Sequence, residues 1–395
     1  MTQLQNFHRV FRNETKGYWV KVLPTRQQVD ALVEAQRAVR EQLSEDLSAH
    51  YDVSPKYRVQ GSWAYGTCNQ PAQVGQEMDL DYGVYLPAKV FSQQKSSQEA
   101  KQYFETAKKS LEKVCSKNGW TIITDNPNCL RFKGFMPNAH MDIPLYAVPD
   151  DMFDELEQNH GLLLEKSLRT DEHYAMDALT ANLFDSVSFS ESKLIDLSSI
   201  EMIHMAKSDG EWKASDCEKV RKWFQDECMK YPNGGLQLRS VVRYLKGWRD
   251  HHWKSGGPTS ILLMIIATKC YQYIAGRDDQ ALIYVAQKLP SMLESDIFEP
   301  NIDGHQDENF NKSTPAQRKE NAGKAKDLLS RLLSAAQSST SQLTIDCLIV
   351  DFGQRIPNAP ELVNKEISED PYKTIKEIPA SRVVAPAVIE SQSGG

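Results

Sequence analysis

The sequence predicts an α+β protein, with a half built on a mixed sheet followed by a half that is almost wholly helical. Three observations carry this. Over the first 150 residues, helix-like and strand-like stretches alternate. From about residue 215 onward, apolar residues recur at helical spacing in one segment after another. The chain has 395 residues, enough for two or three domains and a sizeable core without a disulfide or metal staple.

The elements follow in order. Residues 26–50 form an amphipathic helix: Thr25 can cap it, and Val29, Leu32, Val33, Val39, Leu43 and Leu47 fall on one stripe that Gln36 interrupts. A strand near Tyr57–Gln60 leads into Gly61-Ser62, and residues 70–76, with Pro71 and Gly75, read as a loop. Asp79–Leu86 is rich in aromatic and aliphatic residues and reads as a strand. Residues 96–118 are helical, ended by Gly119, and Trp120–Thr124 begins a strand. Cys129–Gly134 and His140–Val148 read as two further strands joined by a turn at Pro137-Asn138. Helices are predicted over 215–230, 236–253, 259–274, 278–289 and 315–336, with a polar loop at 299–314 and a flexible tail over 375–395.

Composition narrows the function. Lys and Arg number 46 against 53 Asp and Glu, a net charge of −7, which disfavours a protein that coats duplex nucleic acid but leaves room for a local basic pocket. The longest apolar run, Ile261–Ala267, is far short of the roughly 20 residues a membrane span needs. Residues 1–18 lack the apolar segment of a secretory signal. Seven scattered cysteines without a C-x-x-C pair read as free thiols, and the expected location is cytoplasmic.

The residues that carry chemistry are Gly61-Ser62, then Asp79-Leu80-Asp81, then Asp142 in a later strand. Side chains at i and i+2 of a strand share a face, so Asp79 and Asp81 project together. Two such carboxylates repel, and a cation relieves the repulsion. Solvated carboxylates on an exposed strand face explain the pair alone equally well. Asp142 changes the balance, because it stands among apolar neighbours in Met141-Asp142-Ile143-Pro144-Leu145, where an unpaired carboxylate is costly. Three carboxylates suit Mg²⁺, which takes carboxylate and phosphate oxygens, and allow a pair of ions about 3.5–4 Å apart. Gly61 permits close backbone approach, and Ser62 with nearby amides can bind a phosphate.

The arrangement resembles the nucleotidyltransferase superfamily of DNA polymerase β, and more closely the CD-NTases, in particular their DncV-like cyclic GMP–AMP synthase branch. The resemblance lies in Gln60-Gly61-Ser62-Trp63-Ala64-Tyr65-Gly66-Thr67, in Met78 to Pro87, and in His140 to Pro149, and it spans about residues 26–336. It implies a nucleotidyltransferase lobe over 1–200, a helical lobe over 201–345, a C-terminal segment over 346–395, and an active site in the cleft between the lobes. It further implies two Mg²⁺ ions, with Mn²⁺ as a substitute, and synthesis of a cyclic dinucleotide, 3′,3′-cyclic GMP–AMP first, from ATP and GTP. The product would be a second messenger for a downstream effector in antiphage (CBASS) defence.

The helical half offers a second set. Arg239, Arg243, Lys246 and Arg249 share a helix face, which is either a solvated basic face or a phosphate-binding one. The resemblance places Lys246 and Ser260 at nucleotide phosphates, while Ser260 could equally serve as a helix cap after Pro258. It places Tyr65 at a base pocket, Arg131 near the acceptor nucleotide and Asp307 at the donor base. For these three, a core tyrosine, a surface arginine and a solvated loop carboxylate are the plain alternatives. The histidines form no metal set, and His251-His252 read as a surface pair. The resemblance also implies that the final Gly395 is conjugated by a ubiquitin-transfer-like enzyme. Two other functions fit the residues less well: template-independent nucleotide transfer to RNA or protein, and a nucleotide-sensing binding module conjugated through its C-terminal glycine.

Overall fold

The computed structural model describes residues 2–92, 96–150, 153, 203–214, 217–302 and 305–368. The flexible tail expected over 375–395, and Gly395 with it, lies outside the described residues.

The chain opens with a strand, β1 (Thr2–Asn6), and two short helices, α1 (His8–Phe11) and α2 (Tyr18–Val22). The long helix α3 (Arg26–Tyr51) follows, and its start is fixed by a capping box: the Thr25 side chain accepts from the Gln28 amide while the Gln28 side chain accepts from that of Thr25. Gln36 does not break the stripe, because it is buried with it. Strand β2 (Lys56–Gln60) runs into a single helical turn, α4 (Gly61–Ala64), and the chain then returns through β3 (Met78–Pro87). Helix α5 (Ser97–Asn118) has its own capping box at Ser96 and Glu99 and ends at Gly119 in the left-handed region.

Strands β4 (Thr121–Ile123), β5 (Leu130–Lys133), β6 (Ala139–Ile143), β7 (Leu145–Val148), β8 (His204–Ala206) and β9 (Trp212–Ala214) complete an eight-stranded mixed sheet in which β3 is central. The single strand expected over 140–148 is interrupted at Pro144, which lacks an N–H for the ladder. Its two parts keep one register along β3, with Asp81 opposite Asp142 and Val84 opposite Leu145, and the Val84 amide donates to the Pro144 carbonyl across the break (3.0 Å). Strand β2 pairs antiparallel with β3, placing Gln60 opposite Asp81. The alternation is strict. Leu80, Tyr82, Val84, Leu86, Met141 and Ile143 face α3 and α5 and form the core of this lobe, so Asp79, Asp81, His140 and Asp142 take the opposite face.

The helical lobe contains α6 (Cys217–Met229), α7 (Pro232–His252), α8 (Ser260–Cys270), α9 (Asp278–Glu294), α10 (Pro315–Gln337) and α11 (Ser341–Phe352). Asn233, Gly234 and Gly235 are left-handed, so the regular part of α7 begins at Leu236, as the sequence predicts. Two features were not expected. Residues 7–23, assigned on sequence to the sheet-bearing lobe, pack within the helical core, where Phe11 and Tyr18 meet Tyr244 and Phe352. The segment after 345 is also structured: α11 runs to Phe352, and β10 (Asn364–Ser368) pairs antiparallel with β1. Among the described residues no helix is long and apolar enough to cross a membrane, and the cysteines whose side chains are described are free.

Candidate functional site

The sheet face that carries the carboxylates opens into a cleft of about 480 Å³ between the two lobes. Asp79 is exposed, Asp81 half-buried, and Asp142 buried at 6% exposure. Burial pushes the Asp81 carboxyl up to about 7, and the negative charges of Asp79 and Asp142 push in the same direction. Asp142 is held by Arg131, its cross-strand partner on β5, in a two-pronged pair: Nε to Oδ1 at 2.6 Å and Nη2 to Oδ2 at 2.7 Å. That hydrogen bond raises the Arg131 pKa, so the guanidinium stays charged.

His140 is a residue that sequence reasoning passed over. It stands opposite Asp79 in the register, its Nε2 is 3.0 Å from Asp79 Oδ1, and its Nδ1 is 2.9 Å from Glu77 Oε2. Burial works against its charge, but the Asp79 carboxylate close to Nε2 raises its pKa. Glu77 also takes Lys133 Nζ at 2.7 Å. Ligand atoms of Asp79, His140 and Asp142 all lie within 4.8 Å of one another, a spacing compatible with one metal ion. A histidine therefore stands within reach of such an ion, which the sequence reading did not anticipate. The signal was present, because His140 is two residues before Asp142 and therefore shares its face. Glu77 and Asp79 are related in the same way.

Gly61 has a reason that the sequence did not reveal. Its φ is +59°, and a Cβ there would overlap Asp81 Oδ2 and sit 3.1 Å from Asp81 Cγ. The glycine therefore makes room for the carboxylate. Gln60, beside it, is buried, donates to the Tyr85 hydroxyl and accepts from the Tyr146 hydroxyl at 3.1 Å. Ser62 and Tyr65 line the cleft, and Tyr65 also packs on the helical core with its ring edge against Phe224.

The opposite wall comes from α7 and the start of α8. The basic stripe of α7 is not a solvated face: Arg239, Arg243 and Lys246 are 3–6% exposed. Arg243 donates to the Cys68 carbonyl, Lys246 Nζ to the Thr67 carbonyl at 2.7 Å, and Asn69 Nδ2 to the Arg243 carbonyl at 2.9 Å. Residues 67–69 thus strap the sheet-bearing lobe to α7. Burial pushes Lys246 down to about 8 and Arg243 down to about 10. Arg249 is paired with Asp250 (2.6 Å) and donates to Ser260 Oγ at 3.0 Å. The cap of α8 is Thr259, whose side chain accepts from the Leu262 amide. The capping alternative for Ser260 is thereby removed, and its hydroxyl lines the cleft.

The structure brings Gly61, Ser62, Tyr65, Asp79, Asp81, Lys246 and Ser260 to one cleft, with Asp142 and Arg131 next to Asp81 on the sheet. Asp307 is not brought there: it is exposed on the loop after α9 and does not line the cleft. His251 and His252 are half-buried, with His252 Nε2 2.9 Å from the buried Asp351, so they are not a surface pair.

Two family models match the chain. Residues 55–146 match the nucleotidyltransferase domain of cyclic GMP-AMP synthase DncV-like proteins, and residues 235–365 match the cyclic GMP-AMP synthase C-terminal domain. A cyclic GMP-AMP synthase of Vibrio cholerae is 28% identical over 327 residues, covering 79% of this chain and 70% of that protein. One from Escherichia coli strain TW11681 is 28% identical over 319 residues, covering 78% and 69%. The fold is similar to that of V. cholerae DncV cyclic AMP-GMP synthase in complex with the linear intermediate 5′ pppA(3′,5′)pG, with a TM-score of 0.71, 22% identity, and coverage of 93% of this chain and 100% of that one.

Proposed function

The chain belongs to the DncV-like nucleotidyltransferases, and from that premise we propose that it joins ATP and GTP into a cyclic dinucleotide, 3′,3′-cyclic GMP–AMP. One observation carries the reading: three carboxylates meet on one sheet face of a cleft whose other wall offers a buried lysine and a serine hydroxyl held by Arg249.

The residues fit a divalent cation. Burial raises the Asp81 carboxyl to about 7 and its two acidic neighbours push the same way, and a cation between them would relieve that repulsion. Asp79, Asp81 and Asp142 would hold it, as magnesium or manganese and as a pair of ions. When bound, it supplies charge neutralisation of the triphosphate and a lowered pKa at the attacking hydroxyl. Arg131 keeps both Asp142 oxygens oriented. Gly61 leaves Asp81 room to face the cleft. Lys246 and Ser260 position donor phosphates, Ser62 contacts them from the sheet side, and Tyr65 borders the base. Holding donor and acceptor in line is most of what this chemistry asks of protein groups. Two passes through one cleft would close the ring. The product would act as a second messenger in antiphage defence.

The test is to incubate the wild-type protein and Asp79→Asn/Asp81→Asn with all four ribonucleoside triphosphates and Mg²⁺, and to identify products by mass spectrometry. A phosphatase-resistant dinucleotide from the wild type alone is expected, and its bases identify the substrates. A linear or polymer-linked product would replace the reading with template-independent transfer. A melting-temperature shift with Mg²⁺ and ATP but no pyrophosphate would replace it with a nucleotide sensor.

A further inference from the structure

The cleft is poorer in available positive charge than its basic residues suggest. Lys246 is buried and tied to the Thr67 carbonyl. Arg249 is already neutralised by Asp250. On the same wall lies Lys254, exposed and, among the described residues, without an ion-pair partner.

Its loop is built to present it. Trp253 is anchored by ring contacts with Trp248 (5.2 Å) and His252 (6.0 Å). Gly257, at φ +73°, lies on the Trp253 indole, where a Cβ would come within 2.9 Å of the ring. Pro258 is buried, and Thr259 caps α8. Both ends of the loop are therefore fixed, and Lys254, Ser255 and Gly256 form its exposed tip along the cleft. Gly256 is left-handed with open space where a side chain would be. The Lys254 stem reaches the other lobe: a Cβ on Gly75 would meet its Cε at 3.4 Å. Gly75 belongs to the loop that leads into β3 and its carboxylates. Lys254 thus crosses the cleft mouth between the two loops.

We propose that Lys254 binds the terminal phosphate of the donor nucleoside triphosphate, and so sets the preference for triphosphate over diphosphate. The inference rests on the reading of the cleft as a nucleotide site. The inner phosphates would be served by Lys246 and Ser260 at the cleft wall, whereas a third phosphate brings further negative charge that neither buried Lys246 nor paired Arg249 can fully meet. A mobile ammonium on a flexible stem suits that terminal group, since it needs charge rather than a planar fork.

The experiment is calorimetric titration with α,β-methylene ATP and α,β-methylene ADP in Mg²⁺ at fixed ionic strength, so that no turnover occurs. Wild-type protein should bind the triphosphate analogue more tightly. Lys254→Met should weaken triphosphate binding about tenfold and diphosphate binding less than about twofold, the expectation for one charge-assisted contact on an exposed stem. Lys254→Arg should restore most of the loss. Equal weakening of both analogues, or no weakening, overturns the proposal while leaving the nucleotide site standing. Failure of the wild-type protein to bind either analogue overturns both.

Discussion

Replacing Gly61 by alanine tests the link between backbone and chemistry at one atom. Two costs can be worked from the structure. A left-handed alanine is strained by about 1–2 kcal/mol. Its Cβ would also overlap Asp81 Oδ2, and turning that carboxylate off its rotamer costs about 0.5–1.5 kcal/mol more. The sum, about 1.5–3.5 kcal/mol, should lower the melting temperature by roughly 3 °C in a chain of this size. The catalytic cost should be larger, because misplacing a reacting group by about 1 Å costs on the order of 100-fold in rate. Pyrophosphate release gives that rate, and thermal melting gives stability independently of any activity. Gly61→Asn separates the two causes, since asparagine tolerates the backbone but keeps the Cβ. It should regain part of the stability and none of the rate. Combining Gly61→Ala with Asp81→Ala should leave the backbone strain alone, so the cycle should be non-additive by about 1 kcal/mol. An additive cycle, or a Gly61→Ala rate within a few-fold of wild type, would refute the reasoning.

Three further outcomes follow. Arg131→Met strips the partner from buried Asp142; with Arg131 itself partly solvated, a loss of about 2–3 kcal/mol is expected, and Mg²⁺ should raise the variant's melting temperature more than the wild type's. Equal Mg²⁺ shifts would contradict it. Lys246 falls from 10.5 unfolded to about 8 folded, so the unfolded chain holds more protons in that window and stability should rise with pH between them. Denaturant unfolding across that range should show a shallower rise for Lys246→Met, and an identical slope would dismiss the burial argument. Gln76 spends one amide on four bonds: its Oε1 accepts from the Ala72 and Gln73 amides, and its Nε2 donates to the Asp250 and Trp253 carbonyls. Gln76→Glu should keep the loop turn but lose the tie to α7, speeding amide exchange in 249–253 more than at 72–73. The reverse order would contradict this assignment of roles.

How much of this was legible depends on the range of the interaction that decides each feature. Helix α3 was readable to its first residue, because a capping box and an apolar stripe are local in sequence. The carboxylate face was readable too, since the period-two rule needs only Asp79, Asp81 and a later strand. The same rule applied once more would have found His140 and Glu77. The break at Pro144 was signalled by the proline. The basic stripe of α7 was ambiguous for a physical reason. The partners of Arg243 and Lys246 are backbone carbonyls of residues 68 and 67, some 175 residues earlier, and carbonyls leave no mark in a sequence. The β1–β10 pair joins residues about 360 apart, and its short polar strands have no alternation to read. Lys254 was invisible for the same reason as the strap: its setting depends on Gly75 from the other lobe.

The strap also explains why the two walls can carry opposite charge without relying on it for closure. Burial acts on both in the same sense, raising Asp81 toward neutrality and lowering Lys246 toward it. Charges attenuated in this way attract one another weakly. The lobes are joined instead through main-chain carbonyls, at Thr67 and Cys68 from one side and at Arg243, Asp250 and Trp253 from the other. The ties made by Asn69 and Gln76 are neutral at both ends and hold while groups lining the cleft change protonation, whereas those to Thr67 and Cys68 are donated by Lys246 and Arg243. The carboxylates are thereby left to respond to whatever enters between the walls. A site proposed to bind a polyanion together with cations is well served by walls of this kind, fixed in part by neutral amide contacts and adjustable in charge.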